Sequence, residues 1–445
     1  MFTNLEEIET SELRKKALQI VQAGIESVLP EKVVKQKIKW DGEKKELIIS
    51  NKVFLVEGRI FIIGAGKNVD FLAAAIEDQI GLDTIEAGII ATNKISKTLK
   101  KIEVRVVGHP IPNEDSVKAT DEMLALKKEY NINEKDVVLC LLTAGASSML
   151  CKPWGFDFLH EGEALLQELY AKEAEVQEIK VLRKHFSGVK GGRLAEFYAP
   201  TKIISIIISD VVDNDLSVIA SGPTMPDETT FTDAIYIIKK YNLLSKISKS
   251  LLDFIEKGRD EDVSDTPKEL TNVDNFIIAD NATALAAMEE KAKKMNLIAK
   301  VVTDQQTGQP KSVAKLRSSE IMTGMYFDYN VVIIGGETFP KLPEKHGEGG
   351  RNQHYALSFL SSMEGYTKKW VLASIATDGQ DFMENIGGAI VDHETLKKIR
   401  AMNLDINSSL EHFDSYNLLN QVKGSIVRMN STGTNVNDVI CFIAE

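Results

Sequence analysis

The chain has 445 residues, too many for one ordinary hydrophobic core, so its length points to two domains. A composition of 43% hydrophobic and 27% charged residues is that of a folded protein and excludes extended disorder. The formal net charge of −12 argues against nucleic acid or an anionic membrane as partner, and any anionic substrate must meet positive charge that is concentrated locally.

Cys140, Cys151 and Cys441 fit no metal-binding spacing, and Cys140 and Cys441 lie inside apolar runs as buried hydrophobes would. A disulfide framework is not expected, which favours a reducing, cytoplasmic setting. The N-terminal MFTNLEEIETSELRKK has no apolar core of a signal peptide, and no apolar run approaches the roughly 20 residues that span a bilayer.

In chain order, the first 30 residues read as an amphipathic helix, with Leu13, Ala17, Ile20, Val21, Gly24 and Val28 at helical spacing. RIFIIGAGK (59–67) is a strand entering a glycine turn, and VDFLAAAIEDQI after it is helical. AGIIAT (87–92), VRVVGHP (104–110) and DVVLCLLTAGASSML (136–150) are further buried strands with polar ends. A glutamate-rich helix at about 160–180 gives way to the basic KVLRKHFSGVKGGRL (180–194). IISIIISDVVDND (203–215) is a strand ending on aspartates, followed by the turn-rich IASGPTMPDETTF. Residues 256–274 are polar, contain Pro267 and are the expected linker between domains 1–255 and 256–445. Strand and helix then alternate again: FIIAD, the helix Ala284 to Met295, AKVVTD, VVIIGGE, WVLASIATDG and VICFIAE.

Short apolar strands alternating with helices predict parallel sheets, here two α/β/α domains, the first Rossmann-like. Polar clusters at successive strand ends predict an active-site cleft between the two sets of strand carboxyl ends.

Several clusters carry chemistry, each with a plain structural alternative. Gly64, Gly66 and Lys67 form a strand-to-helix turn where backbone N–H groups and an ammonium could neutralise a phosphate or carboxylate; the glycines could equally serve only a tight turn. The turn is neither a Walker A motif nor a full GxGxxG, since Val69 holds the third glycine position. Arg183, Lys184, His185, Lys190 and Arg193 surround glycines and suit a polyanion, or form a solvated basic face. Ser147 and Ser148 offer hydroxyls to a small polar ligand, but no catalytic base lies nearby in sequence and the loop is not a nucleophile elbow. Asp210 at a strand end suits Mg²⁺, or caps a turn. Glu337 and Asp378 each follow a buried strand and are candidates for general base or metal ligand. Arg351 and Asn352 open a helix after a loop rich in glycine and proline, and an anionic substrate is expected to face Arg351. Thr434, Asn435 and Asn437 lie in a polar turn before the last strand, and His109 is the one histidine on a strand-end loop of the first domain.

Taken in order, these stretches resemble the type-2 glycerate kinases, whose C-terminal part is the MOFRL domain. The resemblance rests on GAGK (64–67), GHPIPNEDS (108–116), LRKHFSGVKGGRLA (182–195), SDVVDNDLSVIASGPTMPD (209–227), GGET (335–338), GGRNQ (349–353), TDG (377–379) and TGTNVND (432–438), which together cover nearly the whole chain. It implies phosphorylation of D-glycerate by ATP with Mg²⁺, usually at the 2-hydroxyl. It also implies catalytic roles for Lys67 and Arg351, with Asp378 matching the aspartate of TDG. The chain departs from the family pattern at TAGASSML, at Asp213-Asn214-Asp215, at His354 and at Phe382-Met383, so His354 and Phe382 are where a shifted substrate would be sought.

Phosphoryl transfer needs positioning and charge neutralisation more than covalent chemistry. The expected assignment has Arg351 on the glycerate carboxylate or the transferring phosphoryl group and Lys67 on the developing charge. Asp378, or else Glu337 or Asp210, orients the hydroxyl or holds Mg²⁺, and residues 338–350 act as a lid. The rival readings are an NAD(P)-dependent hydroxypyruvate reductase, weakened by the absence of an acidic residue ending AGIIAT, and a non-catalytic sugar-acid binding protein. Homo-oligomerisation is left open.

Overall fold

A computed structural model describes residues 1–154 and 158–445 and divides into two compact units, Val33–Ile278 and Met1–Lys32 with Ala279–Glu445. In the first unit, β1 (Ile38–Asp41), β2 (Glu46–Ile49) and β3 (Lys52–Leu55) form a small antiparallel meander. Its main sheet comprises β4 (Ile60–Ala65), β5 (Ile85–Thr92), β6 (Glu103–Val106), β7 (Val137–Leu142), β8 (Lys202–Ile208) and β9 (Val273–Ala279), in the order β6-β5-β4-β7-β8-β9. The five strands β4 to β8 run parallel. β4 and β7 are buried at every residue, as their unbroken apolar runs require of strands covered on both faces. The chain steps from β4 outward through β5 and β6, then returns to place β7 on the other side of β4. That reversal makes the carboxyl ends of β4 and β7 a topological switch point, where the crevice of a doubly wound sheet lies.

The second unit has β10 (Ala299–Gln306), β11 (Val331–Gly336), β12 (Trp370–Ala376), β13 (Ile386–Asp392), β14 (Ile426–Arg428) and β15 (Asp438–Ala444) in the order β10-β11-β15-β12-β13-β14. Only β10 and β11 pair in parallel; β15 is antiparallel to β11 and β12, as are β13 to β12 and β14 to β13. This differs from the parallel sheet expected for this half. The chain passes from β12 to β13 with no helix between them, and β15 enters the middle of the sheet from the opposite end. Strand β14 is three residues long, too short to show alternation in sequence.

The domain assignment also differs at both ends. The helix Glu12–Ser27, capped by Ser11, packs on β12, β15 and the helix Asn281–Lys294 of the second unit. Arg14 on that helix is buried and bonds Asp392 Oδ2 at 2.6 Å and Thr395 Oγ1 at 2.9 Å, and it also donates to the carbonyl of Gly424. Residues 256–274 are no free linker. Their start closes the helix Lys249–Arg259, Arg193 donates to Ser264 and Asp265 carbonyls, and the Asn272 amide donates to Ala195 and Thr201 carbonyls before β9 begins. Much of the stretch is exposed, but Thr266 and Asn272 are buried and hydrogen-bonded into the unit. Among the described residues, no helix is long and apolar enough to cross a membrane.

Candidate active site

In the first unit, the loops after β4, β6 and β7 bring four of the expected residues to one place. Gly66 has φ +137°, and a Cβ there would run into the hydroxyl and carbonyl of Thr143, so this glycine lets the β4 and β7 loops meet. Lys67 N donates to Ala144 O at 2.7 Å and Lys67 O accepts from Thr143 Oγ1 at 2.8 Å, which fixes the turn and leaves the lysine side chain half-buried. His109 reaches in from the β6 loop with Nδ1 3.0 Å from Ser148 Oγ. Its ring lies against Gly145, where a Cβ would sit 2.7 Å from Cε1. Burial, and then the charge of Lys67, push the His109 pKa down to about 4. Ser148 thus has an imidazole partner supplied by a distant loop, where sequence proximity had offered none.

Ser147 Oγ lies 3.1 Å from Ser221 Oγ, which belongs to the turn-rich stretch after β8. Ala220, Ser221 and Gly222 are all left-handed, with φ of 52°, 63° and 62°. Such strain in consecutive residues persists only where neighbours hold it. Here Gly191 N donates to Ser221 O at 3.0 Å and Gly192 N to Gly222 O at 2.7 Å.

The basic glycine stretch is therefore neither a solvated face nor an open cradle. The Gly191 and Gly192 amides serve the Ser221 turn; Lys184 pairs with Asp227 at 3.0 Å, and His185 with Asp265 at 2.9 Å. Arg193, expected to bind ligand, is buried on backbone carbonyls with its guanidinium 4.6 Å over the Trp154 ring. Lys190 is buried beside Cys151, Arg183 and Glu163, and burial lowers its pKa. Asp210 stands half-buried just past β8.

In the second unit the antiparallel register of β15 sets Asp438 opposite Gly336 of β11 and Ala376 of β12, so its carboxylate stands at the strand ends that carry Glu337 and Asp378. Arg351, at the start of the helix Arg351–Ser362, bonds Asp438 through Nε (2.7 Å) and Nη2 (2.9 Å), and Glu337 through Nη1 (2.8 Å). Burial opposes its charge, but Asp438 and Glu337 outweigh that and raise its pKa. Asn352, expected to bind ligand, is buried instead: its amide donates to Asp438 Oδ1 at 2.8 Å and its oxygen accepts from Ser374 at 2.6 Å. Asp381 is fully buried and caps this helix, accepting from the backbone N–H of Asn352 and of Gln353 at 2.9 Å each. Burial, with the nearby Asp438, raises its pKa against those hydrogen bonds.

Asp378 is half-buried after β12 and accepts from Gln380 N at 2.8 Å. In the last polar turn, Thr434 donates to Val28 O at 2.9 Å, Asn435 accepts from Asn437 N at 3.0 Å, and Asn437 is buried with φ +68°. That turn is tied to β12 through Thr377, whose hydroxyl donates to Asn437 O at 2.7 Å. It shapes the strand ends; Thr434 and Asn437 are buried and Asn435 is partly exposed. His354, one of the two places where a shifted substrate would be sought, is buried, stacked on Phe413 at 4.8 Å, and burial, then Lys311, lower its pKa to about 4. Phe382 is 81% exposed with φ +65°. The loop 338–350 is pinned at both ends, Phe339 to Gly308 and Gly347 to His412, which narrows any lid to its middle.

Asp438, Asp381 and Ser221 are the residues that sequence reasoning missed. Finding Asp438 required the direction of β15, which no local pattern encodes. Among the described residues, no group of three or more His, Cys, Asp or Glu could hold a metal ion. A divalent cation would therefore rest on one or two carboxylates, as Mg²⁺ does when phosphate oxygens supply further ligands. Asp210, a hard oxygen donor at a strand end, fits that role.

Together these features define an α/β protein whose first unit is doubly wound, with a cationic side chain near strand carboxyl ends in each unit, Lys67 in the first and Arg351 in the second. Residues 16–256 match DUF4147, a domain of unknown function, and residues 330–438 match the MOFRL family. The chain is 34% identical to a glycerate 2-kinase of Pyrococcus horikoshii across 97% of both chains. It is 31% identical to a protein of Agrobacterium vitis that bears a hydroxypyruvate reductase name, over 89% of this chain and 90% of that one. The crystal structure of a glycerate kinase from Thermotoga maritima superposes with a TM-score of 0.85 at 32% identity, covering 97% of this chain and 99% of that one. The chain belongs to the type-2 glycerate kinase family, which carries the MOFRL domain.

Proposed function

We propose that the protein is a kinase that transfers the γ-phosphoryl group of ATP to D-glycerate, at its 2-hydroxyl, with Mg²⁺. The observation that carries this is the near full-length likeness to glycerate 2-kinase, running through both units rather than one. The site chemistry agrees. Lys67 neutralises charge that develops on the transferring group. Arg351 binds the glycerate carboxylate or the phosphoryl group with the N–H groups that Glu337 and Asp438 leave unused. Asp210 is the carboxylate assigned to the metal, which when bound would offset phosphate charge, and its hard oxygens suit Mg²⁺ better than softer ions. Asp378 orients the attacking hydroxyl.

A reductase of hydroxypyruvate is the second reading, because two relatives from Agrobacterium vitis bear that name. Against it, Val69 occupies the third glycine position and β5 ends in Ala91-Thr92, with no carboxylate for a ribose. Three buried, free cysteines support a cytoplasmic setting.

The test is purified protein with D-glycerate, ATP and Mg²⁺, followed for ADP and, by ³¹P NMR, for the position of the new phosphate. ADP formation with 2-phosphoglycerate is expected. No ADP, together with NADH oxidation on hydroxypyruvate, overturns the proposal in favour of the reductase.

A further inference from the structure

His109 is held in a way that a merely structural histidine does not need. One face of its ring lies on Gly145, which has φ +75° and no side chain to push the ring away. Nδ1 faces the Ser148 hydroxyl at 3.0 Å, and that hydroxyl donates its single proton to Gly145 O at 3.1 Å. With the serine proton committed to a carbonyl, the hydrogen between ring and hydroxyl must come from Nδ1. Nε2 then carries the lone pair. The ring stays neutral at neutral pH, since burial and Lys67 keep it from charging. The ring is half-buried at the switch-point crevice, within reach of the charge of Lys67.

A neutral imidazole with a fixed Nε2 lone pair next to a lysine matches an α-hydroxy acid. The hydroxyl donates to Nε2 while the lysine takes the neighbouring negative charge. We propose that His109 is a catalytic residue that receives the substrate hydroxyl on Nε2, and that Ser148 is the positioning residue that fixes its tautomer. This rests on the kinase reading and adds the group that aims the acceptor. As the hydroxyl oxygen bonds to phosphorus, the bond from phosphorus to the ADP oxygen breaks and ADP leaves with that electron pair. The hydroxyl proton passes to Nε2 and then to solvent. A weak base suffices, because in a loose transition state the proton becomes acidic only late in bond formation.

The test compares His109→Ala, His109→Gln, His109→Asn and Ser148→Ala. Glutamine can set an amide oxygen where Nε2 stood, whereas asparagine reaches only the Nδ1 position. His109→Ala should lower kcat/KM for D-glycerate by roughly 10²–10³, as loss of a proton acceptor does. Glutamine should restore about tenfold of that and asparagine none, on the same scale. Ser148→Ala should cost about tenfold in kcat with little change in thermal stability, as expected for a positioning role. Activity of His109→Ala near wild type, or rescue by asparagine rather than glutamine, overturns the proposal. ¹⁵N NMR of the wild-type protein reads the same point without turnover: Nδ1 should be protonated, Nε2 unprotonated, and D-glycerate alone should shift Nε2. If the wild-type protein forms no ADP from glycerate, the kinase reading fails, and this titration still decides the inference. A shifted Nε2 upholds it, and a protonated or unresponsive Nε2 overturns it.

Discussion

Arg351 and Asp438 form a two-pronged pair, Nε to Oδ2 at 2.7 Å and Nη2 to Oδ1 at 2.9 Å, which aims the guanidinium from the first turn of its helix. Such paired geometry belongs to arginine alone, since lysine presents a point charge. Arg351→Lys should therefore lose at least about tenfold in kcat/KM although its charge is kept. Asp438→Asn should lose about 10² in turnover with a small change in melting temperature, because Glu337 still neutralises the arginine while its aim is lost. Steady-state kinetics beside a thermal melt check both. Unchanged kinetics in Asp438→Asn would remove the pair from the mechanism.

The N-terminal helix is fastened by a different arginine. Arg14 and Asp392 are both buried and bonded at 2.6 Å, and although burial opposes the charge, Arg14 holds the Asp392 pKa low. Removing one partner leaves a buried charge alone, at a cost of about 3–5 kcal/mol. Arg14→Met should lose that much in denaturant unfolding. Because the folded Asp392 pKa is depressed, its contribution is complete above the unfolded carboxylate value and fades as pH falls through the folded one. Arg14→Met should be correspondingly less sensitive to acid.

The parallel sheet of the first unit was readable because β4, β7 and β8 are long apolar runs that end in glycine, serine or aspartate. Family resemblance and strand-end position also led to Lys67, His109, Ser148, Glu337 and Arg351 as candidates. Asp438 and Ser221 stayed hidden for different reasons. Asp438 matters only through the reversed direction of β15, and Ser221 only through a left-handed turn held by Gly191 and Gly192. Arg193 and Thr434 misled because charge and hydroxyl density look alike whether they face a ligand or a buried carbonyl. Residues 256–274 misled for the same reason, since internal hydrogen bonding and exposure both favour polar side chains.

Lys67 acts on His109 at a distance, and that action is measurable. With the ammonium removed in Lys67→Met, one of the two causes that lower the His109 pKa is gone. The pKa should rise from about 4 toward the ordinary histidine value while staying below it, because burial remains. An NMR titration of the ring in Lys67→Met against wild type reads this directly. The same variant should lose orders of magnitude in turnover.

His354 gives the fold a component of acid sensitivity unrelated to catalysis. Its folded pKa is lowered to about 4, so between the unfolded value near 6.5 and that point the unfolded chain binds a proton the native state refuses. Stability is thus complete above about pH 6.5 and falls as pH drops toward 4, by up to about 3 kcal/mol. His354→Phe keeps an aromatic ring on Phe413 without a titrating group. Denaturation at several pH values should show wild type losing stability across this window and the variant losing less.

Gly145 joins backbone geometry to the His109 ring, so Gly145→Ala tests both at once. At φ +75° an alanine costs about 1–2 kcal/mol from backbone strain alone. Its methyl would also sit 2.7 Å from Cε1 and 3.1 Å from Nδ1 of His109, too close for the ring to stay. The ring must swing off Ser148, and the fixed tautomer goes with it. A folded Gly145→Ala protein should therefore lose more activity than Ser148→Ala, and its His109 should show both tautomers by ¹⁵N NMR. Adding His109→Gln to Gly145→Ala should cost little further activity, because the two substitutions disable the same contact. Fully additive losses would separate Gly145 from His109 and assign the glycine to the turn alone.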